Sequence, residues 1–243
     1  MNKNRRDEFI RRIFTITAPH IDRLTSLFSL GLCHLWRRKA VDLAGLKEKD
    51  RILDVCTGTG EMAFALLKNK AWSGSLVGVD FCNEMIEIAR QKLTKASNPH
   101  LKDVEFVMGN AKSLEFPDDS FDLVTIGFGM RNIPNTAAAL REIHRVLKPG
   151  GRFVCLELTR PRAEWFLPLY KWYVFKIMPR IGKLVVKKSA PYTYLPRSIE
   201  AFYPPQEFSR IITECGFTNI AVLPMTLGVA TIFTAVKPLA DRR

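Results

Sequence analysis

The chain of 243 residues has no CxxC pair, no repeat or low-complexity tract, and no apolar run of the ~20 residues needed to span a bilayer. Its five cysteines, Cys33, Cys56, Cys82, Cys155 and Cys215, are odd in number and leave no disulfide framework or zinc site to propose. No metal is expected. The opening MNKNRRDEFIRRIF lacks an apolar core of signal-peptide length, and Asp7 and Glu8 argue against a transit peptide, so the cytoplasm is the expected location. Acids are scarce: 24 Asp and Glu against 37 Lys and Arg leave a net charge of +13, which favours an anionic partner such as nucleic acid or an anionic membrane surface. Between Arg160 and Arg197 nine basic residues face a single acid, Glu164, and are interleaved with Trp165, Phe166, Tyr170, Trp172, Tyr173 and Phe175.

What is present reads as one α/β domain of ordinary size. Residues 51–56 (RILDVC), 75–80 (SLVGVD), 104–109 (VEFVMG), 121–126 (FDLVTI) and 152–158 (RFVCLEL) are short apolar runs of the kind found in buried parallel strands. EMAFALLKN, NEMIEIARQKLTKA and NTAAALREIHRVL carry apolar residues at helical spacing, and LKPGG supplies a helix stop after the last. The alternation predicts a parallel sheet with helices on both faces and a ligand site at the carboxyl ends of its strands. Late in the chain, PPQEFSRIITECG predicts a helix, and FTNIAVLP and VATIFTAVK are too close together for a crossover, so an antiparallel hairpin is expected at the sheet edge. The expected organisation is helices over 1–45, a core over 46–159, a basic aromatic insertion over 160–200, and a closing helix and hairpin over 201–243.

The stretch ILDVCTGTGEMA carries a glycine loop. Gly58 and Gly60 let the backbone approach a ligand, and the helix start behind them presents unpaired N–H groups. With Ala63 they also satisfy a dinucleotide fingerprint, with Asp80 at about the right distance beyond. Asp54 argues against a pyrophosphate, because a carboxylate just before the glycines repels phosphate and attracts an ammonium. S-adenosyl-L-methionine brings an ammonium and no phosphate. Asp80 is then placed to accept both ribose hydroxyls, and Asn110 and Ala111 to meet the adenine edge. The structural alternative makes Asp54 and Asp80 carboxylates that cap helices.

DVCTGTGEM, VGVDFCNEM, GNAKSLEFPDDSFD and RVLKPGG together resemble, in order, the motifs of a class I S-adenosylmethionine-dependent methyltransferase. FGMRNI, LELTRP, YTYLPRSI and SLGLCHLWRR further resemble the ubiquinone/menaquinone biosynthesis methyltransferases of the UbiE/MenG type, over about Phe14 to Lys237. The resemblance implies a Rossmann-like, seven-stranded, mostly parallel sheet and methyl transfer to a ring carbon of a polyprenylated quinol. It implies cofactor contacts at Asp54, Gly58, Thr59, Gly60, Asp80, Asn110 and Ala111, with Gly127 at a family position commonly held by serine. Ile21, Thr25, Ser26 and Phe233 also depart from the family pattern.

The turn IGFGMRNIP, after the fourth strand, reports on the acceptor. It lacks the Asn/Asp-Pro-Pro-aromatic signature of methylation at planar nitrogens, and the chain has no Pro-Cys nucleophile for methylation of cytosine carbon. A quinol carbon becomes nucleophilic when a ring hydroxyl loses its proton. Arg131 can lower that hydroxyl's pKa and bond the oxyanion, Asn132 can orient a water, and Gly127 and Gly129 leave room for a flat ring. A structural ion pair is the competing role for Arg131. Tyr192 and Tyr194 are candidates to line the acceptor pocket or relay a proton. His144, within REIHRVL, reads as a packing position and not a base.

A polyprenyl tail obliges the enzyme to meet its substrate at a membrane surface, and the 160–197 stretch suits a lid and docking surface for anionic lipid, peripheral at the inner face of the membrane. The alternative is a cap that buries its own aromatics. No nucleic-acid partner is expected, because no RNA-binding module is appended. An RNA methyltransferase and a noncatalytic quinone or lipid binder are the competing readings. Demethylmenaquinol is favoured over the ubiquinone-pathway benzoquinol as acceptor.

Overall fold

The structure, a computed structural model, describes residues 3–96, 99–186 and 190–240. Three helices precede the first strand: α1 (Lys3–Thr17), α2 (Ile21–Phe28) and α3 (Leu32–Leu43). α3 buries Cys33, Trp36, Arg37 and Ala40, the three- and four-residue spacing of one helix face. Strands and helices then alternate as β1 (Arg51–Val55), α4 (Glu61–Leu66), β2 (Ser75–Asp80), α5 (Asn83–Lys95), β3 (Val104–Met108), β4 (Phe121–Gly127), α6 (Thr136–Val146) and β5 (Leu147–Leu158). The insertion follows as α7 (Leu167–Trp172), a wider π turn at Tyr173–Ile177, α8 (Met178–Val186) and α9 (Ala190–Ala201). The chain closes with α10 (Pro205–Glu214), β6 (Thr218–Met225) and β7 (Ala230–Val236).

The seven strands form one sheet in the order β3-β2-β1-β4-β5-β7-β6. β1 to β5 are mutually parallel, and β7 runs antiparallel between β5 and β6, so the expected reversed hairpin does close the edge. The chain builds outward from β1 to β3 and then returns to lay β4 on the other side of β1. That reversal opens a crevice beyond the carboxyl ends of β1 and β4.

Helices cover both faces because the central strands bury residues on both sides. On one face Leu140 and Ile143 of α6 and Phe208 and Ile212 of α10 pack over Val55, Val124 and Phe153. On the other, Trp36 and Ala40 of α3, Met62 and Leu66 of α4, and Ile86 and Ala89 of α5 pack over Ile52, Leu76 and Leu123. Asn135 caps α6, its side-chain oxygen accepting from the Ala138 amide at 3.1 Å.

Two details depart from the sequence expectation. LKPGG does end α6, but the segment then enters the sheet, so β5 begins at Leu147 and not at Arg152. The cause is pairing with the end of β7: the Gly150 amide donates to the Lys237 carbonyl and the Lys237 amide to the Gly151 carbonyl, each at 2.9 Å. In the insertion, the aromatics divide between two surroundings. Tyr170, Val174 and Met178 are buried against Phe166, Leu195 and Phe28, and the Tyr173 hydroxyl donates to the Phe28 carbonyl at 3.1 Å. Trp165, Leu169, Trp172 and Phe175 face outward, Trp165 with 74% of its surface exposed and Trp172 with 56%.

Candidate active site

The crevice is a cavity of about 740 Å³ running across the strand ends from β3 to β4, under a roof that includes α1 and α2. Its volume falls within the range of roughly 300–1,000 Å³ usual for small-molecule sites. Met108, Asn110, Ala111 and Phe81 line one end, Gly58, Thr59 and Asp80 the middle, and Arg37, Gly127, Phe128, Arg131 and Asn132 the other.

The glycine loop is built on left-handed backbone: Cys56, Gly58 and Gly60 have φ of +54°, +57° and +84°. The two glycines serve different purposes. A side chain at Gly58 would meet nothing within 4 Å, so its missing Cβ keeps the cavity floor open. A Cβ at Gly60 would come within 2.7 Å of Phe64 and 3.1 Å of Phe106, so this glycine seats the loop on the core and does not reach the cavity wall. Non-glycine residues in this backbone region store strain, and Cys56 and Phe128 (φ +59°) do so at the neighbouring ends of β1 and β4. Gly129 permits that approach, since a Cβ there would lie 2.5 Å from the Cys56 Cβ. Close packing is thus one use of Gly129, which also lines the cavity where ring clearance was expected from the sequence.

The two aspartates separate. Asp80 faces the cavity while its oxygens accept from the Gly58 and Cys82 amides, both at 2.9 Å. Burial pushes its carboxyl up to about 6, against the pull of those amides. Asp54 is fully buried beneath the loop and absent from the cavity wall; the Thr57 and Thr125 hydroxyls donate to its two oxygens at 2.6 and 2.7 Å. Burial also raises Asp54 to about 6, with Asp80 adding to the shift. This geometry gives no support to the direct attraction of Asp54 for a ligand's ammonium expected from the sequence: Asp54 shapes the loop from below and does not line the cavity. Burial first, then the carboxylates of Asp80, Asp54 and Glu157, keep the Cys56 thiol protonated, which removes it as a nucleophile.

At the β4 end Arg131 is pinned in a buried ion pair. Its Nη1 donates to Glu157 Oε1 at 2.7 Å and also to the Phe128 carbonyl, its backbone amide donates to Glu157 Oε2 at 3.0 Å, and its Nε donates to Ser198 Oγ at 3.3 Å. Glu157 is wholly buried. Arg131 nevertheless lines the cavity, and its Nη2 has no hydrogen bond among the described residues. Asn132 beside it accepts from the Tyr194 hydroxyl at 2.8 Å and donates to the Phe128 carbonyl at 3.3 Å. Tyr194 itself faces a second cavity of about 320 Å³, which shares Arg131, Ile133 and Pro134 with the first. Burial raises its hydroxyl pKa, partly offset by Arg131 and Arg6. Tyr192 falls in α9, and its side chain lies outside those described.

Eight candidates, Gly58, Thr59, Asp80, Asn110, Ala111, Gly127, Arg131 and Asn132, therefore share one cavity wall. Ile21 and Thr25 also line it, whereas Ser26 bonds His34 at 3.3 Å and Phe233 sits in the core against Phe208. His144 packs edge-on against Phe217 at 5.0 Å, away from the site. Three features were missed in the sequence: the Glu157 partner of Arg131, the arrival of Arg37 from α3, and a latch in which the Thr59 hydroxyl donates to Asp22 at 2.5 Å while Lys92 pairs with Asp22 and Glu61.

The profile of the ubiE/COQ5 methyltransferase family matches residues 1–237. The chain is 39% identical to the demethylmenaquinone methyltransferase of Geobacillus kaustophilus, covering 96% of this chain and 98% of the relative. It is 40% identical to the ubiquinone/menaquinone biosynthesis C-methyltransferase UbiE of Geobacter sulfurreducens, covering 96% and 90%. Among solved structures, a SAM-dependent methyltransferase from Aquifex aeolicus superposes with a TM-score of 0.63 at 20% identity, covering 89% of this chain and 97% of that one. Haemonchus contortus phosphoethanolamine N-methyltransferase 2, solved with S-adenosyl-L-methionine, gives 0.61 at 18% identity, covering 83% and 52%. At such identities these structures speak for the shared fold alone.

Proposed function

Because the chain belongs to the ubiE/COQ5 methyltransferase family, we propose that it transfers a methyl group from S-adenosylmethionine to a ring carbon of a polyprenylated quinol, with demethylmenaquinol as its acceptor. The observation that carries the reading is the position of Arg131 on the cavity wall at the β4 end, with a donor free and its fold partner Glu157 behind it. Relatives named for demethylmenaquinone, at 38–39% identity, support the naphthoquinol; the UbiE relative keeps the benzoquinol as a second acceptor.

The residues present suit the cofactor. Asp80 would accept from the ribose hydroxyls, Asn110 and Ala111 would meet the adenine, and Gly58 and Thr59 would border the amino-acid end. Bound there, S-adenosylmethionine supplies an electrophilic methyl on a sulfonium. Gly127 keeps the wall low where the acceptor ring must lie. Arg131 Nη2 would donate to the quinol oxygen as its proton leaves to water and would steady the phenolate; the ring carbon then gains the methyl and gives up its hydrogen as a proton, restoring the aromatic ring. Glu157 fixes the guanidinium plane, and Tyr194 fixes Asn132, so these two act as positioning residues. Asp54 sets the loop from below.

The assay is methyl incorporation from labelled S-adenosylmethionine into chemically reduced demethylmenaquinol and into the demethylated benzoquinol. Product from the naphthoquinol is the expected result. Cofactor binding without transfer to either quinol would overturn the acceptor assignment and return attention to RNA or another small molecule.

The insertion is assigned to the surface where the tail is met. No helix among the described residues is long and apolar enough to cross a membrane. The outward face of Trp165, Leu169, Trp172 and Phe175 lies among Arg162, Lys171, Lys176 and Arg180, a combination that suits an anionic lipid interface at the inner face of the membrane. Co-sedimentation with vesicles containing phosphatidylglycerol at low salt is expected, and Trp165→Ala with Trp172→Ala should reduce the bound fraction severalfold. Equal sedimentation with neutral and anionic vesicles, or none, would remove this assignment.

A further inference from the structure

The parts of S-adenosylmethionine assigned so far leave its carboxylate without a partner. We propose that Arg37, delivered from α3, binds the carboxylate of the cofactor's methionine moiety; the inference rests on the cofactor reading of the cavity given above.

Four cations line this cavity, and the other three serve other parts of it. Lys112 pairs with Asp7 at 2.8 Å near the Asn110 end, Arg11 lies over the Phe81 ring at 5.9 Å, and Arg131 is held by Glu157 at 2.7 Å. Arg37 stands by the glycine loop beside Glu61, at the end of the cavity opposite the adenine position. Its side chain is 9% exposed and makes no hydrogen bond among the described residues. A guanidinium offers five donors, and since no Arg37 nitrogen is a fully buried atom without a partner, the unbonded ones open on the cavity, where a ligand can take them.

Its one ion pair among the described residues is loose. Arg37 Nη1 lies 3.5 Å from Glu61 Oε2, whereas Lys92 holds the other Glu61 oxygen at 2.8 Å. Burial opposes ionisation of Glu61, yet Lys92 and then Arg37 hold its pKa below the usual value. Lys92 thereby satisfies Glu61 and leaves the Arg37 fork available. The Phe128 ring, 5.6 Å from the guanidinium carbon, holds the fork in place. A planar fork with free parallel donors matches a carboxylate in two-point contact, and Glu61 beside it supplies a counter-charge for the adjacent ammonium.

Binding can be read by calorimetry, independently of turnover. Wild-type protein is expected to bind S-adenosylmethionine about 10- to 100-fold more tightly than decarboxylated S-adenosylmethionine, which lacks only the carboxylate. Arg37→Met should erase that preference, weakening S-adenosylhomocysteine by the same factor while leaving 5′-methylthioadenosine, which lacks the amino-acid end, unchanged. Arg37→Lys should recover part of the loss. Equal wild-type affinity for the two sulfonium ligands overturns the proposal without recourse to any variant. Parallel loss of S-adenosylhomocysteine and methylthioadenosine in Arg37→Met overturns it too, by reducing Arg37 to a structural role. Failure of the wild type to bind any of these ligands would instead overturn the cofactor reading.

Discussion

Arg131→Ala is expected to remove about 3–5 kcal/mol of folding stability, because it leaves the wholly buried Glu157 carboxylate without its counter-ion. The same change should abolish measurable methyl transfer, and the two losses need separating. Arg131→Met combined with Glu157→Gln takes both charges out of the interior at similar volume, and such replacements of buried pairs are often neutral or stabilising. The double variant should therefore unfold in denaturant near the wild-type midpoint and bind S-adenosylhomocysteine normally, since neither residue is among those assigned to hold the cofactor. Its transfer rate should remain down by about 10²–10³, the usual loss when one donor to a developing oxyanion is removed. Restored transfer in the double variant would show that Arg131 acts only through the fold.

That duality marks where sequence reading stopped. An arginine after two glycines at the end of an apolar strand announces a charged turn, and the order of the motifs placed it beside the cofactor loop. Its partner was invisible, because Glu157 looks like one more residue of the strand RFVCLEL and only the sheet order brings β5 next to β4. Asp54 shows the converse. Its position before the glycines was legible, but strand ends point side chains alternately up and down, and Thr57 and Thr125 from two different segments decide that it faces the interior. Asp80, Asn110 and Ala111 were easier: Asp80 ends β2, and the other two follow within three residues of the end of β3, both strands ending at the crevice. The roof was the least legible part: α1 and α2 reach the cavity through tertiary packing, and nothing in their periodicity tells which surface they cover.

Asp80→Ala should weaken S-adenosylhomocysteine by about 10²–10³ at pH 8, through loss of two hydrogen bonds to an ionised acceptor. The pH dependence supplies the sharper test. Folded Asp80 is raised from 3.8 to about 6, so between those values the native protein holds a proton that the unfolded chain has released. Stability from this group therefore falls as pH rises through that window, and above about 6 its ionised form is a standing cost, to which Asp54 adds in the same direction. A ligand that donates hydroxyls to the ionised carboxylate offsets part of that cost and lowers the pKa. Wild-type affinity should consequently be flat above about pH 6 and fall towards tenfold per pH unit below it, with a proton released on binding near pH 6. Calorimetry in two buffers of different ionisation enthalpy counts that proton. Asp80→Ala should release none, and Asp54→Asn, which alters the loop from beneath without touching the cavity wall, should keep the acid limb. A wild-type affinity that stays level from pH 5 to 8 would mean that the ribose hydroxyls are held elsewhere, and Asp80 would then be an anchor for the Gly58 and Cys82 amides alone.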